Sequence, residues 1–362
     1  MQVTSISAET KGGTIHGLQG LRMIAATMVV FTHALNRTAD AFPNGGVAKQ
    51  QFLESGVDIF FVISGFIMVY ILRPDTKPGA FWLQRFTRIA PLYWVATAVA
   101  VVIGYVAPRY GFGTPAWDYT LKSVLFFPTG SDMWAHPVVQ PGWTLVYEFL
   151  FYTILSLCLL LGRRPFFAAT IAIVLILTVG AVFAKTWGPL GFYSDQAMMI
   201  EFLFGMAAAG LLKDVKVNPW AGVALAIAGF VLIYVLWYMD KLGYPRGLRV
   251  GMPAFLIVTG FLVSEPIWAR HGLLRRFSLL GDASYSIYIV HYFLIQAIDR
   301  FFADNPGFKP LINPYAYLAL LVIAGIGAGL LAHVYIEKPL LKLVRSWLPK
   351  RERQPALTPA KV

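Results

Sequence analysis

Charge is scarce in this chain. Asp, Glu, Lys and Arg make up 13% of its 362 residues, where a soluble domain carries about 25%. Together with 57% hydrophobic residues and a mean hydropathy of +0.64, this excludes an ordinary soluble enzyme and points to an integral membrane protein. Cysteine is nearly absent too. Cys158 is the single one and lies inside an apolar run, so no disulfide framework and no cysteine metal site can be built. It reads as a packing residue, and no metal is expected. No internal repeat is visible, and no stretch is long and polar enough for a separate soluble domain. Acidic residues are the scarcer charge, 18 against 30 Lys and Arg, for a net charge of +12. Basic residues gathered in cytosolic loops account for that excess, and no nucleic-acid partner is expected.

What the sequence does have is a series of apolar segments of about 20 residues, the length that crosses hydrocarbon as a helix. They fall at 17–36, 53–72, 89–107, 143–161, 165–184, 196–212, 219–239, 248–264, 281–302 and 315–337. The expected fold is an all-α integral membrane bundle of about ten transmembrane helices. The segment at 248–264 is the weakest, with Arg249 at its start and Pro253 within it. The first span follows a polar N-terminus and is expected to be a retained helix rather than a cleaved signal. Basic clusters at Arg73/Lys77/Arg85/Arg88, Arg163/Arg164, Lys213/Lys216, Arg270/Arg275/Arg276 and the C-terminal tail predict that both termini are cytosolic. One membrane domain is expected over 1–345, followed by a basic disordered tail over 346–362 near anionic lipid.

Ionisable side chains inside a bilayer face a protein interior or a wet cavity, so their positions point to the chemistry. Spans three, five and seven hold almost none and suit lipid contact. In span one, Arg22 and His33 are eleven residues apart. At ~100° and ~1.5 Å per residue they share one face and lie ~16 Å apart. Asp58, Glu148 and Glu201, from three further spans, are expected at a depth similar to His33. An imidazole with several carboxylates in one layer suits acid–base chemistry or an ion pathway. Arg85 and Arg88, at i and i+3, share a helix face and suit a phosphorylated ligand when added to Arg22. Taken singly, Arg22 also reads as an interfacial snorkel, the arginine pair as a positive-inside anchor, and His33 as a buried hydrogen-bonding residue. Ser64, Glu201, Tyr285, His291 and Trp143 are candidates to line the cavity, and His291 reads equally as a residue that hydrogen bonds between helices. Trp143 reads either as an interfacial residue or as a platform for a sugar. The small-residue run GIGAG at 325–329 reads as a packing face.

In order, the segments GLQGLRMIAATMVVFTHA, GVDIFFVISGFIMVY, RFTRIAPLYW, PGWTLVYEFLFY, LGDASYSIYIVHY and IEKPL resemble the acyltransferase family 3 membrane proteins. The likeness runs from about Gly17 to Pro339 and is strongest to the branch that acetylates exopolysaccharides, the succinoglycan type. Met23 departs from the small residue the family often carries after the arginine. The resemblance implies ten helices in a bacterial inner membrane, acetyl-CoA as acyl donor, and a saccharide acceptor, free or lipid-linked, at the outer side. It makes His33 the essential histidine, Arg22, Arg85 and Arg88 the donor-binding arginines, and Glu148 the motif's acidic residue.

The resulting expectation is O-acetyl transfer to a sugar hydroxyl, alongside polysaccharide-synthesis machinery. His33 acts as general base, oriented by Glu148 or Asp58, or as a nucleophile that carries the acetyl group. Ser64, Tyr285 or a backbone amide would stabilise the oxyanion. Three alternatives stand beside it: the same chemistry on O-antigen, peptidoglycan or a small molecule; a proton-coupled transporter; and a non-enzymatic partner of a polysaccharide synthase. The oligomeric state is left open by the sequence.

Overall fold

A chain in hydrocarbon has no water to satisfy its backbone, so each apolar segment must satisfy its own amides, and a helix does so. The computed structural model describes residues 15–73, 75–110, 114–131, 135–162, 164–183, 188–212, 217–239, 244–271 and 278–347. These are helical throughout, joined by turns and irregular loops. Ten helices have twelve or more residues: α1 (His16–Ala41), α2 (Gly56–Ile71), α3 (Pro78–Val106), α4 (Trp143–Leu159), α5 (Pro165–Phe183), α6 (Ile200–Leu211), α7 (Pro219–Tyr238), α8 (Gly251–Val263), α9 (Ser284–Asp304) and α10 (Pro314–Ala332). Lys213, Lys216, Arg163, Arg275, Arg276 and the tail from residue 348 lie outside the described residues.

Eight of the ten expected segments are long and apolar enough to span a membrane. The expected ten is not reached by that measure, for two reasons. Helix α6 has 12 residues, ~18 Å at the α-helical rise against ~30 Å of hydrocarbon. Helix α9 has 21 residues but carries Asp299, Arg300 and Asp304 in its last turns. The weak eighth segment holds: Arg246–Val263 qualifies as a span. Pro253 falls in the first turn of α8, where its missing N–H breaks no helical bond.

Local chemistry sets where helices begin. Asn218 and Asn313 each precede a proline at the first helical position, and their side chains accept from Trp220 N at 3.0 Å and Ala316 N at 2.8 Å. Helix α1 has no capping side chain of its own. A distant carboxylate, Glu265, takes that place, accepting from His16 N at 2.8 Å and Gly17 N at 2.6 Å, a favourable charge at a helix N-terminus.

Helix α1 is the axis of the bundle, packed against α2, α8, α9 and α10. We call the end where it begins basal and the end where it finishes distal. Spans five and seven are the most exposed, as lipid contact would require, while span three is 44% buried over its hydropathy window. Only 17% of the hydropathy window in α5 and 22% in α7 is buried, against 72% in the spans Gln140–Leu159 and Arg246–Val263. Small residues set the closest helix crossings. A Cβ on Gly65 of α2 would collide with the Phe202 carbonyl of α6, and one on Gly205 of α6 with the Val62 carbonyl of α2. The GIGAG run packs as expected: a Cβ on Gly325 would lie 3.2 Å from His291 Cβ, and Gly329 abuts Ile287 of α9.

Backbone cannot rotate aside as a side chain can. Gly205→Ala is therefore expected to destabilise the protein by about 1–3 kcal/mol, the range for overpacking. Gly210→Ala, on the same helix with open space around it, is expected to be neutral or slightly stabilising. Thermal unfolding of the two variants in detergent checks the contrast.

Candidate active site

The arginines expected to hold an anion do converge. Arg22 from α1 and Arg85 and Arg88 from α3 line one cavity of about 240 Å³, with Glu148 as the single carboxylate on its wall. Arg85 Nε is buried without a hydrogen-bond partner among the described residues. Three cations against one anion, with a guanidinium N–H still unpaired, make a cavity suited to a polyanion. It extends along α2 from Met68 to Val57, eleven residues or ~16 Å of rise.

Ser64 and Tyr285 line this cavity as expected, but both hydroxyl protons are already used. Ser64 Oγ donates to Glu148 Oε1 at 3.1 Å, and Tyr285 OH donates to Ile89 O at 2.7 Å. Tyr152 OH donates to the same Glu148 oxygen. Glu148 is thus fixed to α2 and to its own helix, facing the arginines.

The single layer of acid–base groups expected from depth is not observed. It divides into three, because depth along a helix does not specify which way a side chain faces. Asp58 belongs to a buried ion cluster. Arg246 donates to Asp58 Oδ1 at 3.2 Å through Nε and to Oδ2 at 2.8 Å through Nη2, and Nη1 reaches Glu54 Oε2 at 3.3 Å. Glu201 is fully buried on α6, and neither of its oxygens has a hydrogen-bond partner among the described residues. Glu148 lies in the arginine cavity. His33 is away from both.

The partner of His33 is His291. His33 Nδ1 lies 2.9 Å from His291 Nε2, and the rings stack with centroids 5.1 Å apart. His291 Nδ1 lies 2.9 Å from the Ile287 carbonyl. A carbonyl only accepts, so His291 Nδ1 carries the hydrogen. With both rings neutral, His291 Nε2 is then the lone-pair nitrogen and His33 Nδ1–H the donor. That leaves His33 Nε2 as an unprotonated lone pair. Neither Asp58 nor Glu148, the groups expected to orient His33, holds this position. His291 was expected either to line the cavity or to hydrogen bond between helices; it does the second, fully buried. Tyr288 connects the two regions. It lines the cavity, and its ring centroid is 6.4 Å from that of His291 and 5.9 Å from Phe60. Its hydroxyl is held at the start of α4, 3.0 Å from Pro141 O. Trp143 packs edge-on to Phe61 and Tyr147, with centroids 6.5 and 5.9 Å away.

The sequence reading missed Arg246, Tyr152 and Tyr288. Arg246 had a signal: Asp58 and Glu201 in apolar segments require a cation, and PRGLR is the basic stretch before the eighth span. The tyrosines had none beyond their spacing of i+4 from Glu148 and i−3 from His291.

Comparison with known proteins fits this arrangement. The family profile described as an acyltransferase domain matches residues 15–333. The chain belongs to acyltransferase family 3. It is 34% identical over 328 residues to the exopolysaccharide production protein ExoZ of Rhizobium meliloti (strain 1021), covering 87% of this chain and 95% of that one. It is 25% identical to the acyltransferase MdmB of Streptomyces mycarofaciens, over 90% of this chain and 92% of that one. It is 23% identical to the O-acetyltransferase OatA of Staphylococcus aureus (strain MRSA252), over 94% of this chain but 60% of that longer one. No solved structure matches.

Removing one partner of a buried ion pair leaves the other uncompensated. Arg246→Leu is expected to destabilise the protein by about 3–5 kcal/mol. Adding Asp58→Asn should recover part of that loss, measured as thermal unfolding temperature in one detergent.

Proposed function

We propose that this acyltransferase moves an acetyl group from acetyl-CoA to a sugar hydroxyl of an exopolysaccharide or its lipid-linked precursor. One observation carries the reading. A cavity with three arginines, long enough for an extended arm, abuts at Tyr288 a histidine pair whose accessible member keeps a free lone pair. Coenzyme A has phosphates at one end and a thioester at the other. Arg22, Arg85 and Arg88 would hold the phosphates by charge-assisted hydrogen bonds, and the arm would carry the thioester toward His33. Similarity to a protein named for exopolysaccharide production favours a saccharide acceptor.

The transfer then proceeds in two proton movements. His33 Nε2 takes the proton of the acceptor hydroxyl as its oxygen attacks the thioester carbonyl. The tetrahedral intermediate collapses with cleavage of the C–S bond, and the sulfur leaves with the proton returned by His33. The products are an O-acetyl ester and free coenzyme A thiol. His291 keeps the His33 Nδ1 proton in place, the role a carboxylate plays in a catalytic triad. In this reading the basal end is cytosolic and the distal end faces outward, across a bacterial inner membrane.

The test is thiol release from acetyl-CoA by protein in lipid, with and without a crude lipid-linked sugar fraction. Acceptor-stimulated release is expected for wild type. His33→Ala should lower it by roughly 10²–10⁴-fold, the usual contribution of a general base. Arg88→Ala should weaken donor binding about 10–100-fold, the worth of a hydrogen bond to a charged group. No release and no donor binding by calorimetry would overturn the proposal.

His291 supplies a separate prediction. His291→Ala should slow transfer by about 10²-fold or more while leaving donor affinity unchanged. His291→Gln, whose amide oxygen can accept from His33 Nδ1, should recover part of the rate in single-turnover measurements.

A further inference from the structure

Distal to the histidine pair is a second polar site that the donor does not need. Arg37 lies on α1 one turn beyond His33, on the same face. Its Nη1 is 3.4 Å from Asp299 Oδ2 and its Nη2 is 3.3 Å from Tyr292 OH. Asp299 lies on α9 two turns beyond His291. The ring of Tyr292 stands edge-on to His33, with centroids 5.3 Å apart. Two helices thus carry, in step, an acid–base pair and then a cradle.

The cradle is anchored from behind. Tyr317 of α10 is fully buried and donates to Asp299 Oδ1 at 3.1 Å. Phe42 and Phe302 hold its ring, with centroids at 5.3 and 5.1 Å. The front is open. The side chains of Arg37 and Asp299 are 35% and 25% exposed, and the contacts that join Arg37 to Asp299 and Tyr292 are long for charged groups. A hydroxyl could enter between them, accept from the guanidinium and donate to the carboxylate.

Charge identifies the ligand class. The donor cavity is strongly positive, as phosphates require. Arg37 and Asp299 cancel, so a phosphate or pyrophosphate would meet a carboxylate as well as a cation. Paired donors and acceptors beside an aromatic ring instead match the vicinal hydroxyls and C–H face of a sugar ring. We propose that Arg37, Asp299 and Tyr292 form the acceptor subsite, which holds a neutral pyranosyl unit so that one hydroxyl meets His33 Nε2. This rests on the acyl-transfer reading above.

The test uses the full chain in nanodiscs. The acceptor is an oligosaccharide made by base de-O-acetylation of the host's own exopolysaccharide, and thiol release is followed against its concentration. Arg37→Gln and Asp299→Asn are each expected to raise the acceptor KM at least tenfold, with the affinity for coenzyme A, read by calorimetry, within twofold of wild type. Tyr317→Phe removes only the anchoring hydroxyl and should raise KM about threefold, which guards against a variant that merely misfolds. An unchanged acceptor KM in Arg37→Gln and Asp299→Asn would overturn the subsite. So would competition by inorganic pyrophosphate against the acceptor that Arg37→Gln abolishes, because the cradle would then be a phosphate site. If wild type itself shows no acceptor-stimulated release, the acyl-transfer reading fails and the subsite with it.

Discussion

The hydrogen bond from His33 to His291 joins two helices, and a third packs closely against both. Helix α10 presents Gly325 to both: a Cβ there would lie 3.2 Å from His291 Cβ and 3.3 Å from Val30 Cγ1 on α1. Even a methyl group there would require His291 or Val30 to give by a few tenths of an ångström. A 2.9 Å hydrogen bond has little tolerance for that displacement. The histidine pair, the Tyr288 wall of the cavity and the Arg37–Asp299 contact all lie along the seam between α1 and α9. The spacing that Gly325 helps to set therefore bears on the alignment of all three.

The polar groups at depth do two kinds of work. Arg246, Asp58 and Glu54 satisfy one another almost completely, with Arg246 donating four hydrogen bonds to the two acids, one of them to the Glu54 carbonyl. This network fixes where α2 and the Arg246–Arg249 turn meet and uses the Arg246 guanidinium within it. The arginine cavity is the opposite case. Its positive charge exceeds its negative, and a buried Nε–H lacks a partner among the described residues. Charge left uncompensated in a low-dielectric interior is unfavourable until an anion arrives, which separates a binding site from a structural cluster of the same residue types.

Much of this was legible in the sequence, and the limit has a physical cause. Hydropathy reports how deep a residue lies, because hydrocarbon selects by depth. Hence the helical segments, the lipid-facing α5 and α7, and the convergence of Arg22, Arg85 and Arg88 could be read. Azimuth was the missing coordinate. His33, Asp58, Glu148 and Glu201 were assigned one layer, yet Asp58 turns toward Arg246 and Glu148 toward Ser64, six residues further along α2. Pairing across helices is a property of packing, and no local pattern announced that His291 rather than a carboxylate would face His33. Helix α6 shows a related limit: its apolar run is clear, but only Ile200–Leu211 is helical, and at the middle of that stretch Gly205 crosses Gly65 of α2, a contact invisible in one strand of sequence.

Tyr288 stands where the two halves of the proposed reaction meet. On one side it lines the arginine cavity; on the other it lies beside His291. His33 is not on the cavity wall, yet it keeps accessible surface. A donor confined to the cavity and an acceptor confined to the distal cradle would therefore approach the histidine pair from different directions. This division has a chemical consequence. Water in the donor cavity would not lie against His33, whereas the distal front, where Arg37 and Asp299 are part-exposed, would admit water to it until an acceptor takes that place. In the proposed reaction, a thioester that passes Tyr288 would be shielded from hydrolysis once the acceptor fills that front. The reach past Tyr288, together with a sugar held in the Arg37–Asp299–Tyr292 cradle, would then set the preference for transfer.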